Sequence, residues 1–216
     1  MGPRGESLRG AGRVARTECG VFNVRITGIH ERAIPIRSKQ RNSRFDFSEM
    51  CTSVVAVTTD VVRGGRPLVG YAFNSFGRYA CGPLLRDRFA PRLLAAEPES
   101  LLDESGRNFD PAKAVACMIA RERPGAHAER AIPVGTVEVA LWDLVAKIEH
   151  KPLHRVFAER FNGGKTLDRV FCYVGGGFGT EVRIENGYAT LPQSPGIGFE
   201  AQPELFAVMR SLVPGA

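Results

Sequence analysis

Apolar side chains recur with a helical period in the middle of the chain. Five of them follow one another in steps of three and four: Val137, Leu141, Leu144, Val145 and Ile148. The polar residues Glu138, Asp143 and Lys147 fall on the other side, so we predict an amphipathic helix with one buried face. Asp143 precedes Lys147 by four residues, which favours an ion pair along the helix. Pro152 stands beyond the last apolar turn, and a second short helix is predicted to begin near Leu153.

The part of the chain before this helix carries signals of strands and then of helices. Strands are predicted over residues 22–29, 53–60 and 68–73. Gly64 and Gly65 supply a tight turn between the last two strands, because glycine adopts positive φ at the least cost. Helices are predicted over residues 83–95, 98–104 and 111–120. Asp110 is the expected N-cap of the last helix, and the order of elements indicates an α+β fold with an antiparallel three-stranded meander.

Composition and charge narrow the class of protein. The 216 residues are 44% hydrophobic, which is enough for a core, and they carry a formal net charge of +6. A basic balance favours anionic partners without choosing between a small carboxylate and nucleic acid. Five cysteines are scattered without a C-x-x-C pair, which indicates neither a disulfide framework nor a zinc site and favours a reducing cytoplasm. Residues 1–20 are rich in Gly and Arg, so we expect a disordered basic arm rather than a signal peptide.

Residues 140–157, ALWDLVAKIEHKPLHRVF, resemble the helix, turn and helix that close the N-terminal capping domain in the mandelate racemase branch of the enolase superfamily. Three further blocks are similar to the D-tartrate dehydratase subgroup: residues 41–79, 123–136 and 181–200. The resemblance makes VFCYV, residues 170–174, an orphan first strand of a (β/α) barrel. It implies a capping domain over residues 21–165, a remnant of barrel strand 1 with a splice over 166–180, and a C-terminal strap over 181–216 that packs on the cap.

The length of chain after the first barrel strand is too short for the rest of a barrel. Only the six residues GGGFGT separate Val174 from Glu181, where the similarity to the strap begins. A (β/α) barrel takes about 250 residues, with a lower limit of roughly 200. We therefore expect that most of the barrel is missing between these two points.

The resemblance also implies the chemistry of the family. Such enzymes hold Mg²⁺ on acidic residues at barrel strand ends, and a Lys or His abstracts a proton next to a carboxylate before a hydroxyl leaves. In this chain the last lysine, Lys165, precedes the barrel strand, and so do all four histidines: His30, His127, His150 and His154. We therefore predict no catalytic residue, no metal ligand and no cofactor for this chain. The expectation is a truncated homologue of a magnesium-dependent hydro-lyase, inactive alone.

Two mobile cap loops of the family match residues 36–49 and 74–82. The resemblance gives six candidate substrate-binding residues: Arg41, Asn42, Arg44, Asn74, Arg78 and Arg123. Their charge-assisted hydrogen bonds would hold a small hydroxy-carboxylate. Arg123 departs from the subgroup, which carries Lys there, and a forked guanidinium does not simply replace a point charge. Without a barrel, the same residues also fit a set of solvated loop side chains.

A second interpretation is a non-catalytic binding module. The basic cap, with the arm of residues 1–20, would bind an acidic partner electrostatically. That arm lacks the interleaved aromatic residues that stack on bases, so nucleic acid is not the expected partner. No stretch is apolar enough for a membrane span, and cap surfaces left without a barrel are expected to favour oligomers.

Overall fold

The computed structural model describes residues 24–36, 39, 41, 46–74, 81–123, 127–171 and 184–215. Of Glu49, His127, Ala128 and Ile184 it describes the backbone alone. Within these residues the protein is a small α+β domain, a three-stranded antiparallel sheet followed by helices, so the predicted order of an antiparallel meander and then helices is confirmed. This architecture is compatible with the capping domain that the resemblance implies. The predicted basic arm lies outside the described residues.

The first sheet consists of β1 (Ile26–Pro35), β2 (Cys51–Arg63) and β3 (Arg66–Phe73) in the order β1-β2-β3. Gly64 and Gly65 form the predicted turn, with φ of +60° and +78°. The prediction for the first strand was wrong in its limits, because β1 starts four residues later and continues to Pro35. Pairing with β2 fixes those limits, up to Pro35 opposite Cys51. β1 is an edge strand with many exposed polar residues, so its hydrophobic pattern is weak.

The helices differ from the predictions mainly at their ends. A π-helical turn, Leu84–Phe89, precedes the short α1 (Ala90–Leu94), where the sequence predicted one continuous helix. Pro91 has no N–H to give to the preceding turn, which accounts for the change of hydrogen-bond spacing. The helix predicted over residues 98–104 is a single 3₁₀ turn, Pro98–Leu101.

Local capping chemistry was predicted better than helix length. α2 (Pro111–Ile119) begins as predicted, because the Asp110 side chain accepts a 2.9 Å hydrogen bond from the N–H of Ala112. α3 (His127–Ile148) begins ten residues before the apolar pattern and contains Pro133. α4 (Leu153–Phe161) is the predicted second helix. None of the described helices is both long and apolar enough to cross a bilayer.

The inner face of the first sheet packs on α3. Val55 of β2 and Ala72 of β3 share one apolar cluster with Leu144 of α3. Gly70 of β3 permits the close approach of strand and helix, because a Cβ there would meet the carbonyl oxygen of Ala140 and lie 2.7 Å from the Leu144 Cβ. The predicted apolar face of the central helix is therefore the main wall of the core.

The outer face of the same sheet is covered by the end of the chain, α5 (Pro203–Arg210) and the 3₁₀ turn before it, Phe199–Ala201. Met209 of α5 is fully buried, and the rings of Phe206 and Tyr71 meet edge-on at 5.7 Å between centroids. Because side chains alternate along a strand, the residues on this face are the neighbours of those on the inner face. They are Val54, Ala56, Val69 and Tyr71.

A second small sheet consists of β4 (Arg169–Phe171), β5 (Ile184–Glu185) and β6 (Tyr188–Thr190) in the order β4-β6-β5. β5 and β6 form a hairpin whose turn residues are Asn186 and Gly187, with φ of 51° and 78°. The expected orphan strand is not isolated over its described residues, because β6 pairs with β4 on one side and with β5 on the other. Residues 172–174 of that prediction lie outside the described part of the chain.

Candidate functional site

The two predicted substrate loops leave the first sheet at the same end. Residues 36–49 join the end of β1 to the start of β2, and the N–H of Ile36 donates to the carbonyl of Met50 at 2.8 Å. Residues 74–82 start at the end of β3, where the N–H of Asn74 donates to the carbonyl of Ser53 at 3.1 Å. Antiparallel pairing thus places the starts of both loops at one end of the sheet.

The described part of the first loop places Arg41 at the surface. Its backbone pairs with that of Asp46 in an isolated antiparallel bridge. The carboxylate of Asp46 accepts hydrogen bonds from the hydroxyl and the N–H of Ser48, at 2.5 and 2.9 Å, and these bonds lower the pKa of Asp46. Asn42 and Arg44 lie outside the described residues.

Asn74 is the candidate residue with the most defined surroundings. It is 8% exposed, and its side-chain amide donates to the hydroxyl of Thr136 on α3 at 3.3 Å. Its backbone carbonyl accepts a hydrogen bond from the hydroxyl of Thr52. The side-chain oxygen Oδ1 is buried and has no hydrogen-bond partner among the described residues. Buried polar atoms are normally satisfied by protein groups or ordered water, so this oxygen is a candidate acceptor. Arg78 lies outside the described residues.

No pattern in the sequence indicated the buried carboxylate that lies near Cys81. The side chain of Glu31 on β1 is inaccessible to solvent and accepts hydrogen bonds from the hydroxyl of Ser53, at 2.8 Å, and from Arg86. The N–H of Cys81 donates to the same hydroxyl at 3.1 Å, which ties the end of the loop to the sheet. Burial raises the pKa of the Cys81 thiol, and the charge of Glu31 adds to this effect. Only the pairing of β1 with β2 reveals this cluster.

The last candidate, Arg123, is an exposed residue beyond α2. Within the described residues, no hydrogen bond or ion pair joins it to Arg41 or Asn74. Its neighbour Glu122 makes ion pairs of 2.8 Å with three arginines instead: Arg88, Arg92 and Arg130. Burial alone would raise the pKa of Glu122, but the hydrogen bonds from Arg130, Arg92 and Arg88 outweigh it and hold the pKa at about 2.

The described residues do not fit the magnesium ion of the family. No group of three His, Cys, Asp or Glu side chains among them offers ligands to one metal ion. Asp143 and Glu200 do converge, but on the ammonium group of Lys147, which already supplies the positive charge between them. A hard cation needs several converging oxygens without such a competitor. The two carboxylates that do converge in this part of the chain therefore form ion pairs with one ammonium group.

The Asp143–Lys147 pair itself is confirmed, with Oδ2 and Nζ 2.8 Å apart, but its expected place on the polar side was wrong. Asp143 is fully buried and Lys147 is 8% exposed. Asp143 accepts from the N–H of Tyr71 at 2.9 Å, and Lys147 donates to the carbonyl of Val69 at 3.1 Å, so both occupy the open edge of β3.

The C-terminal segment covers Asp143 and Lys147, which explains why both side chains are buried. The N–H of Ile197 donates to Asp143 Oδ1 at 2.7 Å, and Glu200 Oε1 lies 2.5 Å from the ammonium of Lys147. Burial would lower the pKa of Lys147, but the carboxylates of Asp143 and Glu200 raise it above the ordinary value. The ammonium also lies 4.8 Å from the centre of the Tyr71 ring.

No protein-family model matches the sequence. The chain is similar to a mandelate racemase/muconate lactonizing enzyme-like protein from Rubrobacter xylanophilus, with 22% identity and a TM-score of 0.40, over 62% of this chain and 33% of that one. A putative mandelate racemase/muconate lactonizing enzyme from Labrenzia alexandrii gives 17% identity and a TM-score of 0.48, over 69% and 34%.

A third similar structure is an enolase from Bradyrhizobium complexed with magnesium and mandelic acid. It shares 20% identity at a TM-score of 0.46, over 62% of this chain and 35% of that one. The chain thus spans about a third of the length of these proteins. With TM-scores below 0.5, the likeness assigns neither family nor activity to this chain.

Proposed function

We propose that this chain is a truncated, non-catalytic homologue of a magnesium-dependent hydro-lyase of the D-tartrate dehydratase kind. It comprises the capping domain, the remnant of one barrel strand and a C-terminal strap. It keeps the loops that bind the acid and lacks the barrel on which the metal and the base are mounted. Dehydration of a sugar acid or hydroxy dicarboxylate to an oxo acid does not proceed on this chain alone.

The arrangement of the two loops supports this proposal most directly. Both start at one end of the sheet, so that exposed Arg41 and buried Asn74 belong to the same end. A guanidinium binds carboxylate oxygens through charge-assisted hydrogen bonds, and Oδ1 of Asn74, which has no partner within the described residues, is able to accept from a hydroxyl group. These two functions together suit a hydroxy-carboxylate. Asn42, Arg44, Arg78 and Arg123 remain proposed contributors.

The absence of catalysis is tested with the purified chain, Mg²⁺ and D-tartrate. We expect no oxaloacetate above a protein-free blank, measured through NADH consumption by added malate dehydrogenase. Turnover proportional to the concentration of this chain, and abolished by a chelator, would contradict the proposal. Coordination of a catalytic metal would then lie with residues that the present geometry does not bring together.

The role of the loops is tested separately by NMR titration of ¹⁵N-labelled protein with D-tartrate. We expect saturable shifts of backbone signals around Arg41 and Asn74, and weaker binding by the variant Arg41→Gln. The matched control is Arg107→Gln, which removes the same charge from an exposed loop on another part of the domain. Shifts elsewhere, or equal binding by both variants, would remove the proposed acid-binding role.

The second candidate function is a basic module that binds an acidic partner, which the net charge of +6 favours. Its expected sign is retention on an anionic column that decreases steeply as salt rises through the physiological range. Elution at low salt would contradict the basic module and would leave the truncated hydro-lyase as the remaining proposal.

The cytoplasmic location and the oligomer stay predictions. Light scattering tests the oligomer, because three apolar side chains near α4 and β4 are strongly exposed: Phe161, Leu167 and Phe171.

A further inference from the structure

A cavity of about 390 Å³ lies at the end of the sheet opposite the two predicted loops. It is bounded by the β2–β3 turn, the end of α3 and the C-terminal segment. Its volume is within the range of about 300–1,000 Å³ that small-molecule sites occupy. Its apolar wall includes Pro67, Leu68, Val69, Tyr71, Pro195 and Phe206.

The charged residues of this cavity are mostly basic. Among the described residues, one acidic side chain, Glu200, lines it beside four basic ones: Arg63, Arg66, Lys147 and Arg210. Lys147 is neutralised by its two carboxylates and cannot account for the excess of positive charge. Beside an apolar wall, the remaining charges are less screened than they are in bulk water. The cavity is therefore a place where an anion gains more than it does on an open surface.

Arg63 already has a structural task in this cavity. Its guanidinium donates to the carbonyls of Lys147, at 2.6 Å, and Ile148, at 3.1 Å, and its Nη1 lies 3.3 Å from Nδ1 of His150. These carbonyls end α3 and carry the negative end of its dipole. The charge of Arg63 is thus offset by the negative end of α3. The charges of Arg66 and Arg210 are not offset in this way.

Arg66 and Arg210 are exposed at this cavity. Within the described residues, neither guanidinium makes a hydrogen bond or an ion pair, although that of Arg210 lies 6.0 Å from the centre of the Phe206 ring. Each guanidinium presents five N–H donors in a fork that matches carboxylate or phosphate oxygens. Two uncommitted forks beside one apolar cavity are what an oxyanion-bearing ligand requires.

We propose that this cavity binds a small organic molecule that carries a carboxylate or phosphate group. Arg66 and Arg210 hold the anionic group, and the wall around Leu68 and Phe206 accepts the apolar part of the molecule. The site joins β3 to the C-terminal segment, so the bound molecule favours the packed position of that segment. The proposal is independent of the acid-binding loops and of any dehydratase ancestry.

The test is thermal unfolding in the presence of inorganic phosphate and, separately, succinate, with the ionic strength held constant by potassium chloride. We expect a saturable rise of the melting temperature with at least one of the two probes. The double variant Arg66→Gln/Arg210→Gln is expected to bind at least about tenfold more weakly, since each change removes charge-assisted hydrogen bonds. Both residues are exposed, so the variant is expected to fold.

The control Arg107→Gln removes a positive charge away from the cavity and is expected to bind like the parent protein. Stabilisation by phosphate alone identifies a phosphate site, stabilisation by succinate alone a carboxylate site, and stabilisation by both a general oxyanion site. Equal stabilisation of the parent, the double variant and the control would be the general effect of an excluded salt and would overturn the proposal. So would the absence of saturation with both probes.

Discussion

The two faces of the first sheet are closed by different parts of the chain and by different forces. On the inner face, Val55 and Ala72 pack against the apolar side of α3, and Gly70 permits backbone contact. On the outer face, Val69 and Tyr71 are covered by α5 at the far end of the chain. The inner contact depends on shape, because an added methyl group collides there. The outer contact also depends on a buried ion cluster.

One carboxylate links the two faces. Asp143 belongs to α3, but it accepts hydrogen bonds from Tyr71 of β3 and from Ile197 of the C-terminal segment. Lys147 repeats the pattern with the carbonyl of Val69 and with Glu200. The helix that forms the inner core thus also anchors the segment that covers the outer core. Loss of the anchor is expected to expose the outer face before the inner one.

The largest effect is expected for Asp143→Ala. The change leaves the N–H groups of Tyr71 and Ile197 without their acceptor and removes one of the two carboxylates beside buried Lys147. Removing one partner of a buried pair costs about 3–5 kcal/mol of unfolding free energy. Urea unfolding measures this loss, and Asp87→Ala, an exposed aspartate in the π-helical turn, is the control.

Hydrogen exchange shows which face opens in the same variant. Amides of α5 are expected to lose protection while those of α3 between Val137 and Val145 keep most of theirs. A uniform loss of protection in both helices would contradict the separate closure of the two faces.

The next effect is expected for Met209→Ala. Met209 is fully buried on the outer face, and truncating such a residue costs about 2–5 kcal/mol through lost burial and the cavity that remains. The control is Leu94→Ala, since Leu94 is 48% exposed and its truncation leaves no enclosed cavity. Similar unfolding midpoints for the two variants would mean that α5 does not pack on the sheet in solution.

A smaller effect is expected for Gly70→Ala on the inner face. The new Cβ meets the carbonyl oxygen of Ala140 and the Leu144 side chain, and overpacking of this kind costs about 1–3 kcal/mol. The control is Gly135→Ala within α3, where an added Cβ meets nothing within 4 Å and helix propensity favours alanine. Denaturant unfolding is expected to move in opposite directions for the two variants. A stabilised Gly70→Ala would rule out the close approach of strand and helix.

The smallest expected effect is the pH dependence that Glu122 gives to the free energy of unfolding. Its pKa is lowered from 4.5 to about 2 in the folded protein, so its stabilising contribution is complete above about pH 4.5. That contribution is lost as the pH falls through about 2, because the folded protein must then accept the proton. The difference in unfolding free energy between the parent and Glu122→Gln is expected to shrink across this window. The control is Glu104→Gln, the same change at an exposed glutamate.

Local chemistry in the sequence was sufficient for much of the fold. The period of Val137, Leu141 and Leu144 predicted the central helix, and Asp110 predicted the start of α2. Gly64 and Gly65 predicted the turn between β2 and β3, because glycine tolerates positive φ. These signals act over a few residues, where the chain's own geometry limits the alternatives.

The first strand and the Glu31 cluster required long-range pairing. The limits of β1 depend on its register with β2, and the burial of Glu31 depends on Ser53 and Arg86, which lie 22 and 55 residues further along. The hydrophobic pattern within β1 or β2 determines neither the register between the two strands nor the contacts of Glu31. The substrate loops were identified by resemblance, and the pairing of the three strands places their starts at one end of the sheet. Asn42, Arg44 and Arg78 lie outside the described residues.

For Asp143 and Lys147, the sequence predicted the contact between the two side chains but not their burial. Their spacing of four residues indicated an ion pair from sequence, because neighbours on a helix surface are fixed by its pitch. Their burial and the basic cavity beside them depend on the packing of the C-terminal segment across β3. Solvent exposure is a property of the whole assembled surface, and a residue's own neighbours in sequence do not set it.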